Sequence, residues 1–182
     1  MTAKKGKNIV LGVTASIAIY KSCELIRRLK ECGFEVKVVM SSRAEELIRP
    51  VVFSSLSGNK VYRAGLFGDA DKWEIEHISL AQGADLILIA PATANIIAKL
   101  SAGICDDLLT CTVCATKAPV LIAPAMNEGM YNNKVTQGNI EKLKSCGYKF
   151  IAPRRGVLAC GKSGVGCLAE IEDIVQEAKR FL

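Results

Sequence analysis

The stretch Asp85-Leu-Ile-Leu-Ile-Ala90, followed by Pro91-Ala-Thr-Ala-Asn95, decides the fold class of this chain. A nearly continuous apolar run of this length is typical of a strand that is buried on both faces of a sheet. Sheets of that kind are built from parallel strands and carry helices on both sides. The residues after the run, Ala94–Ala102, have the spacing of a helix. The stretch therefore predicts one strand-to-helix unit of an α/β protein.

The same alternation of strand and helix continues along the chain in both directions. Because alternating elements of this kind form parallel sheets with short connections, the pattern predicts an α/β fold over residues 1–182. We expect a single Rossmann-like (flavodoxin-like), doubly wound domain with a mostly parallel sheet. Besides the opening stretch, the predicted strands are Asn8–Val13, Glu35–Met40, Val120–Ala123 and Tyr148–Ile151, and the predicted helices are Ser16–Cys32, Arg43–Ile48, Ala94–Ala102, Asp106–Thr116, Lys134–Ser145 and Ile171–Phe181.

Two segments, 65–76 and 153–166, show neither helical nor strand periodicity. Loops of this length in a compact domain are often functional. The second segment is rich in glycine and contains Cys160.

Composition narrows the classes of function. The chain has 182 residues, of which 50% are hydrophobic. It has no apolar run near the roughly 20 residues that a membrane-spanning helix needs, and no signal peptide at the start. The net charge of +6 is spread along the chain and forms no nucleic-acid motif. We expect a cytoplasmic protein that binds an anionic small molecule, with no membrane and no nucleic acid as partner.

The eight cysteines predict free thiols, since disulfides are rare in the reducing cytosol. Cys111-Thr-Val-Cys114 is a lone CxxC, whereas a zinc site needs about four ligands. We therefore predict no metal site and interpret these two cysteines as buried helix residues.

The ends of four predicted strands carry residues suited to a ligand. Doubly wound sheets bind ligands beyond the carboxyl ends of their strands. Gly12-Val-Thr-Ala-Ser16 and Ser41-Ser-Arg43 each lead into a helix, whose N-terminus favours a phosphate; plain helix capping by Ser16 and Ser41 explains them equally well. Pro91–Asn95 and Pro124-Ala-Met-Asn127-Glu-Gly-Met130 combine proline, small residues and asparagine, which suits a flat ligand. The first turn lacks the GxGxxG pattern of dinucleotide sites.

Two further side chains are candidates for proton transfer. His77 is the only histidine and stands at the start of a probable helix. An imidazole can exchange protons near neutral pH, although a lone histidine is more often structural or simply exposed. Cys160 lies in Leu158-Ala-Cys-Gly161, where a thiol on a loop can serve as a proton donor.

Together these motifs resemble those of the flavin-containing cysteine decarboxylases, the family to which the phosphopantothenoylcysteine decarboxylases belong. The matching segments occur in the family's order and span nearly the whole chain. They are Gly12–Lys21, His77–Ile78, Pro91–Asn95, Ala102–Leu109, Pro124–Met130 and Ala159–Gly161.

The resemblance implies FMN as the cofactor, and it implies roles for individual residues. His77 would be the active-site base and Cys160 the proton donor, with Asn127 also at the reacting centre. The family builds its sites at subunit interfaces of trimers or dodecamers, so His77 and Cys160 need not meet within one chain. The implied FMN contacts are Gly12, Ala15, Ser16, Ile17, Ser41, Thr93, Ala94, Asn95 and Ala125, and the implied substrate contacts are Asn127, Met130, Leu158 and Ala159.

The resemblance also implies the reaction. 4′-Phosphopantothenoylcysteine would be decarboxylated to 4′-phosphopantetheine in coenzyme A biosynthesis. Oxidation of the carbon that bears the thiol gives a thioaldehyde β to the carboxylate, so loss of CO₂ leaves a delocalised enethiolate. Return of the hydride and a proton then completes a reaction that is redox-neutral overall. The chain departs from the family at Lys162, where aspartate is frequent, and at Cys167, where the bacterial bifunctional proteins often have arginine.

Three other functions occur on the same fold and are alternatives to this one. A flavin prenyltransferase would not need the Cys160 loop and has a different first turn. A peptidyl-cysteine decarboxylase leaves its product oxidised, so it need not keep a reducing cysteine. A non-catalytic regulatory protein would be favoured by the absence of a histidine, but His77 is present. The sequence suits both a monofunctional enzyme and one half of a fusion with the synthetase that makes the substrate.

Overall fold

The computed structural model describes residues 6–65, 75–159 and 161–182. Six parallel strands form the main sheet: β1 (Asn8–Val13), β2 (Glu35–Met40), β3 (Val61–Tyr62), β4 (Leu86–Ala92), β5 (Val120–Pro124) and β6 (Lys149–Phe150). Their order is β3-β2-β1-β4-β5-β6, so the direction of winding reverses between β1 and β4. This is the doubly wound, Rossmann-type arrangement. The predicted fold class is confirmed.

Helices cover both faces of this sheet. They are α1 (Lys21–Glu31), α2 (Ser42–Leu47), α3 (Pro50–Ser57), α4 (Glu76–Gly83), α5 (Ala94–Ala102), α6 (Leu108–Ala115), α7 (Glu128–Tyr131), α8 (Lys134–Ser145) and α9 (Ile171–Arg180). Helices α1, α3 and α9 pack in one core, and α4, α5, α6 and α8 pack in the other. No helix in the described ranges is long and apolar enough to span a membrane.

Strand β4 shows why the opening stretch fixes the fold. Leu86 and Leu88 point into one core, whereas Ile87 and Ile89 point into the other, and all four are 0% exposed. Complete burial of each such side chain stabilises the fold by about 1.5–3 kcal/mol. The Asp85 carboxylate accepts hydrogen bonds from the backbone N–H of Asn8 at 2.8 Å and from Lys7 at 2.9 Å, which lowers the pKa of Asp85.

The predicted helix Ser16–Cys32 is wrong over its first part. Residues Ile17–Tyr20 form a 3₁₀ turn, and the α-helix begins only at Lys21. Pro50 stands in the first turn of α3, a helix that was not among the predicted elements. Proline is favoured at that position because the first helical N–H groups have no intrahelical acceptor.

Segment 153–166 is also more regular than predicted. Strands β7 (Arg154–Val157) and β8 (Ser163–Cys167) form an antiparallel hairpin that stands apart from the main sheet. Its glycines hide the alternation of apolar and polar residues by which a strand is recognised. The other irregular segment, 65–76, lies largely outside the described residues.

Candidate functional site

Thr14 joins the two strand ends at the point where the sheet reverses its direction of winding. Its hydroxyl donates to the carbonyl of Pro91 at 2.7 Å and accepts from the backbone N–H of Thr93 at 3.1 Å. Thr14 is 2% exposed; its bond to Pro91 is buried, and its bond to Thr93 is partly buried. Thr14 was not among the predicted site residues, although a hydroxyl residue at the end of the first strand is a signal for such a bridge.

A cavity of about 490 Å³ opens at this edge of the sheet. Its volume is within the range of small-molecule sites, roughly 300–1,000 Å³. Four parts of the chain form its wall: the turn after β1, the residue after β4, the segment after β5, and the hairpin β7–β8. The predicted site residues that line it are Ala15, Ser16, Ile17, Thr93, Ala125, Asn127, Met130, Leu158 and Ala159.

The hairpin is held over the cavity by close backbone contacts. The N–H of Met126 donates to the carbonyl of Gly166 at 2.9 Å. Gly166 has φ +140°, and a Cβ there would lie 2.1 Å from the Met126 carbonyl oxygen. The N–H of Val165 donates to the carboxylate of Glu128 at 3.0 Å. Glycine at position 166 is therefore required for the hairpin to dock beside Asn127.

The turn after β1 differs from the predicted helix N-terminus. The Ser16 hydroxyl accepts from the N–H of Ala18 at 3.3 Å, so Ser16 does act as a cap, but it caps a 3₁₀ turn. Ser41 is the N-cap of α2 and makes no side-chain capping bond. Its N–H donates to the carbonyl of Val13 at 3.0 Å, which places it next to the same turn.

The charged residues that line the cavity within the described ranges are Lys21 and Arg154, and both are cations. Neither was among the predicted site residues, although Lys21 is the last residue of the segment Gly12–Lys21. Arg154 pairs with Cys167 across the hairpin. A guanidinium therefore lies near position 167, the position at which this chain has cysteine and the resemblance implies arginine. Apolar side chains such as Ile17 and Met126 supply much of the remaining wall. This combination fits an anionic ligand with a flat apolar part, which is the character of FMN.

Several predicted cofactor contacts do not line the cavity. A Cβ at Gly12 would lie 2.7 Å from a methyl carbon of Leu109, so this glycine allows α6 to pack against β1. Ala94 and Asn95 occupy the first turn of α5, directly after Thr93, whose hydroxyl accepts from the N–H of Ile96 at 3.4 Å.

His77 lies at the second position of α4 and also does not line the cavity. It is half-buried, and its Nδ1 atom is buried with no hydrogen-bond partner in the described part of the chain. A buried polar atom without a partner requires an explanation, since most are satisfied. Cys160 lies outside the described residues, although its neighbour Ala159 lines the cavity.

A second, larger groove of about 1030 Å³ lies near α2 and β3. Arg63 contacts Glu45 at 2.6 Å and Lys60 contacts Glu76 at 2.5 Å along its walls. Because its opposite charges pair with one another, the groove offers a ligand less net charge than the smaller cavity does. It contains none of the predicted site residues.

The CxxC cysteines are less buried than predicted. Cys111 is half-buried, whereas Cys114 is exposed, so the prediction is wrong for Cys114. Partial burial of the sulfur, together with the Cys105 thiol, nevertheless raises the pKa of Cys114 to about 11. Among the residues that the structure describes, no group of three His, Cys, Asp or Glu side chains is placed to hold a metal ion.

Comparison with known sequences gives relatives over the whole chain. The family described as Flavoprotein matches residues 1–182. The coenzyme A biosynthesis bifunctional protein CoaBC of Bacillus subtilis (strain 168) is 46% identical over 174 residues, 96% of this chain and 43% of the relative. The probable phosphopantothenoylcysteine decarboxylase of Streptococcus mutans is 43% identical over 97% of this chain and 99% of the relative. The chain thus spans under half the length of the bifunctional relative.

Solved structures match the fold closely. A mutant PPC decarboxylase complexed with pantothenoylaminoethenethiol superposes with a TM-score of 0.85 and 28% identity, over 97% of this chain and 98% of the other. The FMN-dependent cysteine decarboxylase SpaF superposes with a TM-score of 0.84 and 27% identity, over 98% of this chain and 99% of the other.

Proposed function

The chain belongs to the flavoprotein family, and from that membership we propose that it is an FMN-dependent decarboxylase of 4′-phosphopantothenoylcysteine. The product would be 4′-phosphopantetheine, an intermediate of coenzyme A biosynthesis. One observation carries the proposal: a single cavity brings together the turn after β1, the Pro124–Met130 segment and the hairpin. These are the three parts of the chain to which the resemblance assigns cofactor, substrate and proton donor. The names of the relatives support the same reaction.

FMN, when bound, would accept a hydride from the substrate carbon that bears the thiol and return it after CO₂ has left. The residues of this chain would position it. Ser16 and Thr93 offer hydroxyls at the edge of the sheet, and Lys21 offers a cation for the phosphate. Ile17 and Ala125 offer apolar surface for the ring system.

The opposite wall would bind the substrate. Asn127 caps α7 by accepting from the N–H of Gly129 at 2.8 Å, which fixes its side chain beside the cavity. From there its amide can orient the substrate carboxylate or amide, with Met130, Leu158 and Ala159 in contact with the rest of the substrate. Cys160 would protonate the enethiolate carbon, so the product is the saturated amine.

We also propose that the protein forms a homo-oligomer, either a trimer or a dodecamer. His77 does not line the cavity of its own chain, and its buried Nδ1 atom has no hydrogen-bond partner among the described residues. Ile17 and Tyr20 are 64% and 61% exposed at the cavity. A second subunit packed against them would cover this apolar surface and could bring the partner's His77 to the site.

We also propose a domain assignment and a cellular compartment for the protein. Residues 1–182 would form one FMN-binding decarboxylase domain that works in the cytoplasm. The seven cysteines within the described ranges are free thiols, which suits a reducing compartment.

Purification and turnover test the proposal. The protein is expected to be yellow, to release FMN on denaturation, and to convert phosphopantothenoylcysteine to phosphopantetheine with release of CO₂. A synthetic peptide that ends in cysteine serves as the comparison substrate and should not be decarboxylated. A colourless protein without turnover would contradict the proposal, and preferred turnover of the peptide would favour a peptidyl-cysteine decarboxylase.

A further inference from the structure

Arg154, the first residue of β7, places its guanidinium at the wall of the cavity. Its Nε atom lies 2.8 Å from a carboxylate oxygen of Glu170, an ion pair that fixes the side chain. The Nε–H group is buried and not aligned with that oxygen, so it makes no hydrogen bond within the described part of the chain. A guanidinium has five N–H donors in a fork that matches a phosphate. The terminal Nη groups form no hydrogen bond among the described residues, so it is these donors that a ligand in the cavity can use.

Gly156 makes this placement possible. A Cβ at position 156 would lie 2.7 Å from Nη1 of Arg154 and 3.2 Å from the sulfur of Cys167. The guanidinium therefore occupies the space that a side chain at 156 would fill. Its position is consequently set by two features, the Glu170 carboxylate on one side and the bare backbone of Gly156 on the other.

The two cations of the cavity belong to different walls. Lys21 follows the turn that carries Ala15, Ser16 and Ile17, the wall assigned to the cofactor. Arg154 belongs to the hairpin that carries Leu158 and Ala159, the wall assigned to the substrate. Two cations on two walls suit two anionic ligands. Among the described residues, no carboxylate lines the cavity itself, and Glu170, which pairs with Arg154, is not part of the lining.

The substrate offers two anionic groups, and they differ in one respect. Its carboxylate leaves as CO₂, so a guanidinium held against it would stabilise the ground state and oppose the reaction. Its phosphate is unchanged throughout, so binding it lowers KM without slowing the chemical step. The phosphate is therefore the group that Arg154 can bind without cost to catalysis.

We propose that Arg154 binds the substrate phosphate and makes the enzyme prefer phosphorylated over unphosphorylated pantothenoylcysteine, an inference that rests on the proposed function. Arg154 does not touch the reacting carbon, so it determines specificity and takes no part in the chemical steps.

The test compares Arg154→Ala with the wild-type holoenzyme on both substrates. We expect KM for the phosphorylated substrate to rise about 10- to 100-fold, the size of a lost charge-assisted contact, with kcat within about twofold. Kinetic constants for the unphosphorylated substrate should not change. Arg154→Lys should recover part of the preference. Arg155→Ala is the matched control, because Arg155 is the exposed neighbour on the same strand and does not line the cavity.

A second variant moves the guanidinium and leaves its charge. Gly156→Ala should weaken the preference for the phosphorylated substrate in the same direction as Arg154→Ala. FMN content and thermal unfolding of each variant show whether the hairpin is still folded. Calorimetric binding of phosphopantetheine and of pantetheine to the holoenzyme measures the same preference without turnover.

Three results would overturn the inference. The first is an equal loss for both substrates in Arg154→Ala; the second is weaker FMN binding with the substrate preference intact, which would assign Arg154 to the cofactor phosphate. The third is an equal effect of Arg155→Ala, which would indicate general electrostatics. A wild-type enzyme that neither turns over nor binds the phosphorylated compounds would overturn the proposed function as well, so the two failures are distinguishable.

Discussion

At the scale of single residues, the Thr14 hydroxyl links the ends of β1 and β4 by hydrogen bonds at the edge of the sheet where the cavity opens. It satisfies one buried acceptor, the Pro91 carbonyl, and one partly buried donor, the Thr93 N–H. Removal of the hydroxyl leaves the buried carbonyl unpaired, at a cost of about 1–3 kcal/mol, and also removes the acceptor of the Thr93 N–H. Thr14 therefore links the stability of the fold to the shape of the site.

Thr14→Val tests this link, since valine keeps the shape of threonine and lacks its hydroxyl. We expect a lower free energy of unfolding, by roughly 1–3 kcal/mol, together with weaker FMN retention. Denaturant unfolding and flavin release measure the two effects. Thr116→Val is the control, because Thr116 likewise joins a carbonyl (Ala81, 3.1 Å) to an N–H (Ala118, 3.0 Å) but lies away from the cavity. Equal loss of FMN in both variants would contradict the role of Thr14.

Cys160 is the residue whose loss should change the product. Cys160→Ser is expected to release CO₂ and then stop at the oxidised enethiol, because serine is a weaker acid and cannot complete the return of hydride and proton. Mass spectrometry would detect a product lighter by two hydrogen atoms. Cys167→Ser controls for the loss of a thiol at the cavity and should still give the saturated amine. Formation of the saturated amine at the normal rate by Cys160→Ser would refute its role as donor.

At the scale of elements, the long apolar strands were predictable and the hairpin was not. Leu86–Ile89 are buried on both faces, so their sequence alone carries the signal of a central strand. In the hairpin, Gly166 is required by its close contact with the backbone of Met126, and Gly164 lies against the carboxylate of Glu128; both partners are distant in sequence. Because glycines at such contacts have no side chain, these strands lack the alternation of apolar and polar residues by which a strand is predicted. The same contacts place the hairpin over the site, so the least predictable element is part of its wall.

Gly166→Ala tests whether docking of the hairpin maintains the cavity. The new Cβ would lie 2.1 Å from the Met126 carbonyl, and φ +140° is unfavourable for alanine. We expect the hairpin to detach, with faster proteolysis within 154–167 and a higher KM. Gly147→Ala is the control, because Gly147 has φ +94° and nothing within 4 Å of its Cβ position. It imposes backbone strain of about 1–3 kcal/mol without the clash. Equal effects on KM would show that docking through Gly166 is not required.

At the scale of the whole molecule, the order of the strands explains which residues of the site could be predicted from the sequence to lie together. Parallel strands end at one edge, so Ser16, Thr93 and Asn127 could be expected to converge although they are far apart in the chain. That expectation says nothing about residues that enter from another subunit. His77 illustrates the limit. Its type and position predicted a base, but it does not line the cavity, and its buried Nδ1 atom is unpaired within the part of the chain that the structure describes.

Subunit complementation tests whether each site is shared between two chains. His77→Asn and Cys160→Ser should each be inactive in forming the saturated amine. Co-expression of the two would produce mixed oligomers in which some sites combine an intact His77 from one subunit with an intact Cys160 from the next. For random mixing, each position is intact in half of the subunits, so about one quarter of the sites should be complete. If both residues served the site of their own chain, no site in the mixture would be complete. Recovery near one quarter of wild-type activity, in oligomers shown by two affinity tags to be mixed, would therefore establish the shared site, and inactivity of such oligomers would refute it.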